Sequence, residues 1–313
     1  MKLFTALLTA AICCPASAQL TQPVAFGEAV VVEQSSPGLV PSMKFNYINA
    51  YGSDLSFRRT LAAAPLLQSP GAITFSAVGD IYLAEPCAAP CVQRIMRYEK
   101  SGGMTPYGEP LSDYIRSMTF LANGDLAAAF SVSGSPDSPR AYFGRLDTNG
   151  RMIKTVELPD FIIFGFDVDR DGCTVVFTGL RTLAVANLCS ADMPVKPLPQ
   201  TPNVGFSGVR FLPSGNLLVS SPGAVYELSR NGVVLRRFVT SDDGLGEIVI
   251  DPDGMSFWAS CGNRLFRFDL TTGSVIAGPV WLHNAAYGAR SMAVRGEWRA
   301  ALHPRPRRRS VGR

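Results

Sequence analysis

The stretch Ile115-Arg-Ser-Met-Thr-Phe-Leu-Ala-Asn-Gly-Asp-Leu-Ala-Ala-Ala-Phe-Ser-Val132 is an apolar run, a tight Asn123-Gly124 turn and a second apolar run. Asn-Gly between two such runs signals a β-hairpin, because both residues accept the positive φ a tight turn demands. Working outward, residues 141–147 and 151–158 read as third and fourth strands around a second turn at Asn149-Gly150. The same four-part unit recurs along the chain. Its first turn is Val78-Gly79-Asp80, then Arg170-Asp171-Gly172, Ser214-Gly215-Asn216 and Pro252-Asp253-Gly254. From Gly79 through Gly124, Gly172, Gly215 and Gly254 to Gly296, the turn glycines stand 45, 48, 43, 39 and 42 residues apart. A period near 42 carrying four short strands is the signature of β-propeller blades.

The two ends of the repeat complete each other. Residues 27–34, 44–49 and 54–60 supply a second, third and outer strand with no inner strand before them. Residues 291–295 supply an inner strand with nothing after it, and Gly296-Glu297 follows that strand as Gly27-Glu28 heads the first blade. Docking the last strand into the N-terminal blade closes the ring and leaves no inner sheet edge bare. The expectation is an all-β, six-bladed propeller of four-stranded blades, with seven blades as the alternative. Blades two and four fall at about residues 73–111 and 162–199, and a single propeller domain at 19–303.

The ends also carry processing signals. Lys2, the apolar run from Leu3 to Cys14 and the small residues Ala16-Ser17-Ala18 read as a signal peptide over residues 1–18. That run is too short to span a bilayer, and no later stretch reaches 18 apolar residues. The expected product is exported, periplasmic or extracellular, and a monomer. Net charge is +4, but Arg305, Arg307, Arg308, Arg309 and Arg313 crowd residues 304–313, which read as a solvated basic tail. No basic patch interleaved with aromatics marks the body, which argues against nucleic acid as a partner. An unknown protein or small molecule is expected in its place.

Export makes the cysteines readable as disulfides. Cys173 opens one apolar run and Cys189 closes the next, and both are equidistant from Arg181 in the turn between them. A hairpin there sets the two opposite one another and favours a cross-link. Cys87 and Cys91 bracket a short loop and read as a second pair, while Cys261 is left over at a strand end.

The segments Asp251-Pro-Asp-Gly-Met-Ser-Phe-Trp258 and Asn263-Arg-Leu-Phe-Arg-Phe-Asp-Leu-Thr-Thr-Gly273 resemble the NHL-repeat and gluconolactonase-like six-bladed propellers of bacteria. The resemblance covers about residues 27–300 and implies a ligand site on the central channel. Relatives of this kind include lactonases, a streptogramin lyase and exported proteins of unknown role. The lactonases hold one divalent cation in the channel, through a Glu-Gly-Pro-like segment and an Asn-Gly start to an inner strand. Here Glu33 is followed by Gln34-Ser35-Ser36, and Ser207-Gly208 stands where Asn-Gly is wanted. Neither motif carries over.

Several groups invite chemistry. Asp167-Val-Asp169-Arg-Asp171-Gly172 has the opening spacing of a calcium loop, but Thr178 occupies the place of its closing Glu. His283, in the loop before the last inner strand, and Glu247, at the start of the neighbouring one, are the candidate acid–base pair. Arg116 and Arg210 lie on inner strands and favour an anionic ligand if they point inward. Asp160, Asp243, Trp281 and Tyr287 join them as candidate binding residues on the loop-rich face. No nucleophile elbow, paired glycosidase acids or phosphate cradle is present. The reading is a non-catalytic binding propeller with no cofactor, calcium or another divalent cation being the one to consider. The alternative is a metal-assisted lactonase or lyase centred on the channel.

Overall fold

The structure is a computed structural model that describes residues 23–35, 44–66, 71–86, 92–132, 140–159, 161–190, 194–198, 204–239, 245–284 and 288–302. The described chain forms six four-stranded antiparallel sheets. Blade 1 combines the C-terminal strand Ala289–Val294 with Ala29–Ser35, Lys44–Tyr51 and Phe57–Leu66, so the ring closes as the sequence predicts. Ala29 pairs with Val294 and Val31 with Met292 across that closure. Blades 2 to 6 each run in chain order, and their inner strands begin at Ile73, Tyr114, Gly165, Val209 and Leu245. The observed strands of blade 3 are Tyr114–Phe120, Leu126–Ser131, Arg140–Leu146 and Met152–Pro159, each within two residues of expectation. The only helix among the described residues is a 3-10 turn at Ala300–Leu302.

Alternation along each strand divides its apolar side chains between the two neighbouring blades. Val30 and Val32 pack toward blade 2, while Ala29 and Val31 pack toward blade 6. In blade 6, Ile248, Ile250 and Phe257 face blade 5, whereas Val249 and Trp258 face blade 1. Six such clusters fill the six interfaces between blades. A strand buried on both faces reads as a continuous apolar run, which is why these second strands lack a polar alternation.

The repeated turn is fixed by a buried acid. Asp80, Asp125 and Asp251 follow or precede the turn glycine, and each meets an arginine from the third strand of its own blade: Arg97 at 2.7 Å, Arg145, and Arg267 at 2.7 Å. Asp251 also accepts the indole N–H of the fully buried Trp258 at 2.8 Å. Blade 5 replaces the charged pair by a hydrogen bond of 2.8 Å from Asn216 to Glu227. The turn itself needs glycine: Gly124 sits at φ 87° and Gly254 at φ 70°, where a Cβ is strained.

Cys173 and Cys189 form a disulfide with Cα atoms 5.2 Å apart, across the hairpin read from their spacing. Cys87 and Cys91 lie outside the described residues. Cys261 ends the second strand of blade 6 and is buried. No helix of the described residues is long and apolar enough to cross a membrane.

Candidate functional site

The inner strands begin at one face of the ring, where a cavity of about 600 Å³ opens on the central axis. All six blades contribute to it. In ring order its rim carries Arg116 of blade 3, Gly71 of blade 2, Arg290 of blade 1, Glu247 of blade 6, Ser207 of blade 5 and Phe164 of blade 4. The charged groups therefore occupy one arc, and Ser207 and Phe164 the other.

Buried hydroxyls hold this rim in place. Thr178, at the end of its strand in blade 4, donates to the carbonyls of Gly165 and Ser207 at 3.1 and 3.3 Å, reaching from its own blade to the next. Ser220 of blade 5 accepts the Gly208 amide at 2.8 Å and donates to the Gly246 carbonyl of blade 6 at 2.6 Å. Ser260 of blade 6 accepts the Glu247 amide at 3.0 Å. These side chains satisfy backbone groups that the ladder leaves open where inner strands begin. Ser207, Gly246 and Glu247 are thereby fixed to within a hydrogen bond.

Each rim arginine is positioned by a neutral acceptor. The Arg116 Nε donates to Ser131 Oγ at 2.8 Å, with its guanidinium 5.8 Å from the Tyr114 ring centroid. The Arg290 Nε donates to Oε1 of the fully buried Gln34 at 3.0 Å. Neither forms an ion pair with a carboxylate of the described residues. Among the described residues, Glu247 carries the one carboxyl on the rim. Burial pushes its pKa up to about 7, against the pull of Arg210 and Arg299 and with a further push from Glu297.

Below the rim, the channel is floored by a buried quartet. Arg210 Nε meets Glu297 Oε1 at 2.9 Å, Arg299 meets Glu297 Oε2 at 2.7 Å, and Arg299 reaches Asp167 Oδ1 at 3.3 Å. The remaining oxygens are also used: Asp167 Oδ2 accepts the Phe211 amide at 2.8 Å, and Glu297 Oε1 accepts the Ile250 amide at 3.2 Å. Glu297 and Arg299 come from the segment after the last strand, which crosses under the axis. Its Trp298 packs with blades 5 and 6, and its Ala300 is buried with Phe211 and Leu217. Two acids and two arginines leave the floor neutral, and burial holds Asp167 above the ordinary carboxylate range despite Arg299 and Arg210.

Of the residues singled out in the sequence, Arg116 and Glu247 both line the cavity. Arg210 does point to the axis, but it is 4% exposed and bonded to Glu297, so its charge is already matched. His283 is not on the cavity wall. Its amide donates to the Tyr51 hydroxyl at 2.8 Å and the next amide, of Asn284, to Glu33 at 2.6 Å, which pins this loop to blade 1. The imidazole then stacks on Phe57 of the outer strand, with centroids 3.8 Å apart. Trp281 ends the outer strand of blade 6, 63% exposed beneath Arg264. Asp160, Asp243 and Tyr287 lie outside the described residues. The calcium-like run separates: Asp167 turns to the floor, Asp169 pairs with Arg230 of blade 5 at 2.6 Å, and Asp171 caps its own turn through Thr174. The sequence also sets Arg290 among the charged residues of the loop-rich face, and it lines the cavity. The segment from Glu297 to Arg299 was not singled out.

Among the described residues no three His, Cys, Asp or Glu side chains converge. Among the described residues the rim offers one carboxyl, Glu247, flanked by Arg116 and Arg290. Those described donors alone do not suit a divalent cation, which needs several hard oxygen ligands and little positive charge beside them.

No family model and no curated protein matches the chain. Solved structures do. A protein of unknown function from Bacteroides caccae aligns with a TM-score of 0.60 at 10% identity, over 87% of this chain and all of that one. A streptogramin B lyase aligns with a TM-score of 0.55 at 15% identity, covering 85% of this chain and 87% of that one. A chain of a nidogen/laminin complex aligns with a TM-score of 0.58 at 13% identity, covering 86% and 98%. At these identities the likeness establishes the six-bladed propeller and nothing finer.

Proposed function

We propose that this chain is an exported, non-catalytic propeller that binds a small ligand in the mouth of its central channel. The observation that carries this reading is the cavity itself: about 600 Å³, built by all six blades, with a floor sealed by its own ion pairs. A concave site on a rigid ring, with a few convergent polar groups, suits a small molecule. The Cys173–Cys189 disulfide and the absence of a membrane-spanning helix among the described residues agree with export, which the N-terminal signal-like segment motivates. The nidogen/laminin complex shows a chain of this fold in a protein–protein association.

A second reading rests on Glu247. A carboxyl whose pKa is pushed up to about 7 on the wall of an open cavity is poised as a general base, and the streptogramin B lyase shows that the fold hosts catalysis. A single acid–base group, with no second one on the cavity wall among the described residues, supports it less well. The test is a screen of lactones and cyclic esters with and without added manganese or calcium, run alongside ligand-induced thermal shifts. Stabilisation without turnover is the expected result. Turnover that disappears in Glu247→Gln would replace the binding reading with the enzymatic one.

A further inference from the structure

The binding reading leaves the ligand's chemistry open, and the rim narrows it. The inference that follows rests on that reading. Arg116 and Arg290 each present a five-donor guanidinium, and each is bonded to a single neutral acceptor, Ser131 or Gln34. Those bonds orient the two planes and leave most of their N–H groups unused. Between them in ring order, blade 2 contributes Gly71, which has no side chain, and the buried Gln93. Glu247 stands on the next blade, and no side chain of the described residues hydrogen-bonds to its carboxyl. Across the cavity, Phe164 offers a ring and Ser207 a small hydroxyl.

Donors so arranged need acceptors. A neutral amide or sugar hydroxyl brings its own donors, which would face guanidiniums. A carboxylate is acceptor-only and matches a guanidinium fork in two parallel bonds. The floor quartet is neutral and cannot offset a bound anion, so the rim arginines supply the attraction. The polar arc and the Phe164 side together describe an amphiphilic ligand. We infer that the channel mouth takes a small organic acid, its carboxylate between Arg116 and Arg290 and its apolar body against Phe164, with the Glu247 carboxyl beside it.

The pH dependence has a definite sign. The charged groups facing Glu247 are Arg210, Arg299 and Glu297 from the floor, with Arg116 and Arg290 on the rim. Ionised Glu247 repels the anion; protonated, it donates. Binding therefore strengthens as pH falls through about 7, and between pH 8 and pH 6 the protonated fraction rises about tenfold.

The experiment is titration calorimetry of the whole mature chain with benzoate, 4-phenylbutyrate and succinate, and with benzamide as the uncharged counterpart of benzoate. Benzoate or phenylbutyrate should bind about tenfold more tightly at pH 6 than at pH 8. Arg116→Gln and Arg290→Gln, both at solvent-facing positions and checked for unchanged thermal midpoint, should each weaken binding by tenfold or more. Glu247→Gln should bind with the pH slope gone. Benzamide matching benzoate, with binding lost in a mouth-filling Ser207→Trp variant, would overturn the organic-acid class and leave the binding site standing. Binding that ignores Ser207→Trp would overturn the site. Failure of every acid to bind would overturn the inference.

Discussion

Replacing Arg299 by Met tests how far the channel floor depends on its charges. The side chain is 5% exposed, and its guanidinium contacts Glu297 at 2.7 Å and Asp167, itself 1% exposed, at 3.3 Å. Methionine keeps most of the buried stem and removes only the charge, so packing changes little. Two buried carboxylates are then left facing Arg210 alone. Breaking a buried pair by removing one partner costs about 3–5 kcal/mol, because a charge is stranded away from water. With about 2–4 °C lost per kcal/mol in chains of this size class, the midpoint should fall on the order of 10 °C. Asp167 is already raised by burial, and losing Arg299 raises it further. A raised folded pKa means the folded state prefers the protonated acid. The stability that proton brings is present below the unfolded value and lost as pH rises through the folded one. The defect of Arg299→Met should thus be full at pH 8 and small near pH 4. Urea melts followed by Trp258 and Trp298 fluorescence would measure it, and Asp167→Asn in the Arg299→Met background should recover at least half the loss. A defect below about 1 kcal/mol at pH 8, or no recovery, would refute the view that the floor is held by matched charge.

The raised pKa of Glu247 predicts a pH-dependent penalty of its own. Its value moves from 4.5 to about 7, so at about 1.4 kcal/mol per pH unit its ionisation costs the fold up to about 3 kcal/mol, less what channel water screens. Glu247→Gln should therefore gain stability over the wild type at pH 8.5 relative to pH 4.5, and a difference that does not change with pH would exclude it. Reducing the Cys173–Cys189 disulfide, whose partners are 16 residues apart, should lower stability by about 3 kcal/mol through loop entropy. A thermal midpoint unmoved by a phosphine reductant, with both thiols shown to be released, would contradict it.

The blade rhythm was legible because it is written in turn glycines and apolar runs, which obey local rules. Ring closure was legible too, since an unpaired inner strand at one end and a missing one at the other have a single joint solution. The Cys173–Cys189 pairing followed from hairpin symmetry. The site was legible only in part. Periodicity says that Arg116 and Arg210 lie on inner strands, but radial depth along the axis separates an exposed rim cation from one bonded into the floor. His283 misled because the loop that carries it is pinned outward by Tyr51 and Glu33, partners far away in sequence. Asp167, Asp169 and Asp171 sit close in the chain, yet strand alternation and the following turn send them to three different neighbours. The crossing segment at Glu297 and Arg299 lies just past the last repeat, where the pattern no longer instructs.

Pairing of Ala29 with Val294 has a consequence for how the molecule is made. Blade 1 is made with its inner edge bare, and the strand that covers it follows only after blades 2 to 6. Until then the edge of Ala29–Ser35 offers unpaired amides and carbonyls flanked by valines, a template for intermolecular pairing. Chains truncated before residue 289 should be sticky, and chains that carry Ala289–Val294 should not. The strand that finishes the circle also retires this edge, so a chaperone holding the unclosed product would find its grip lost once Ala289–Val294 docks.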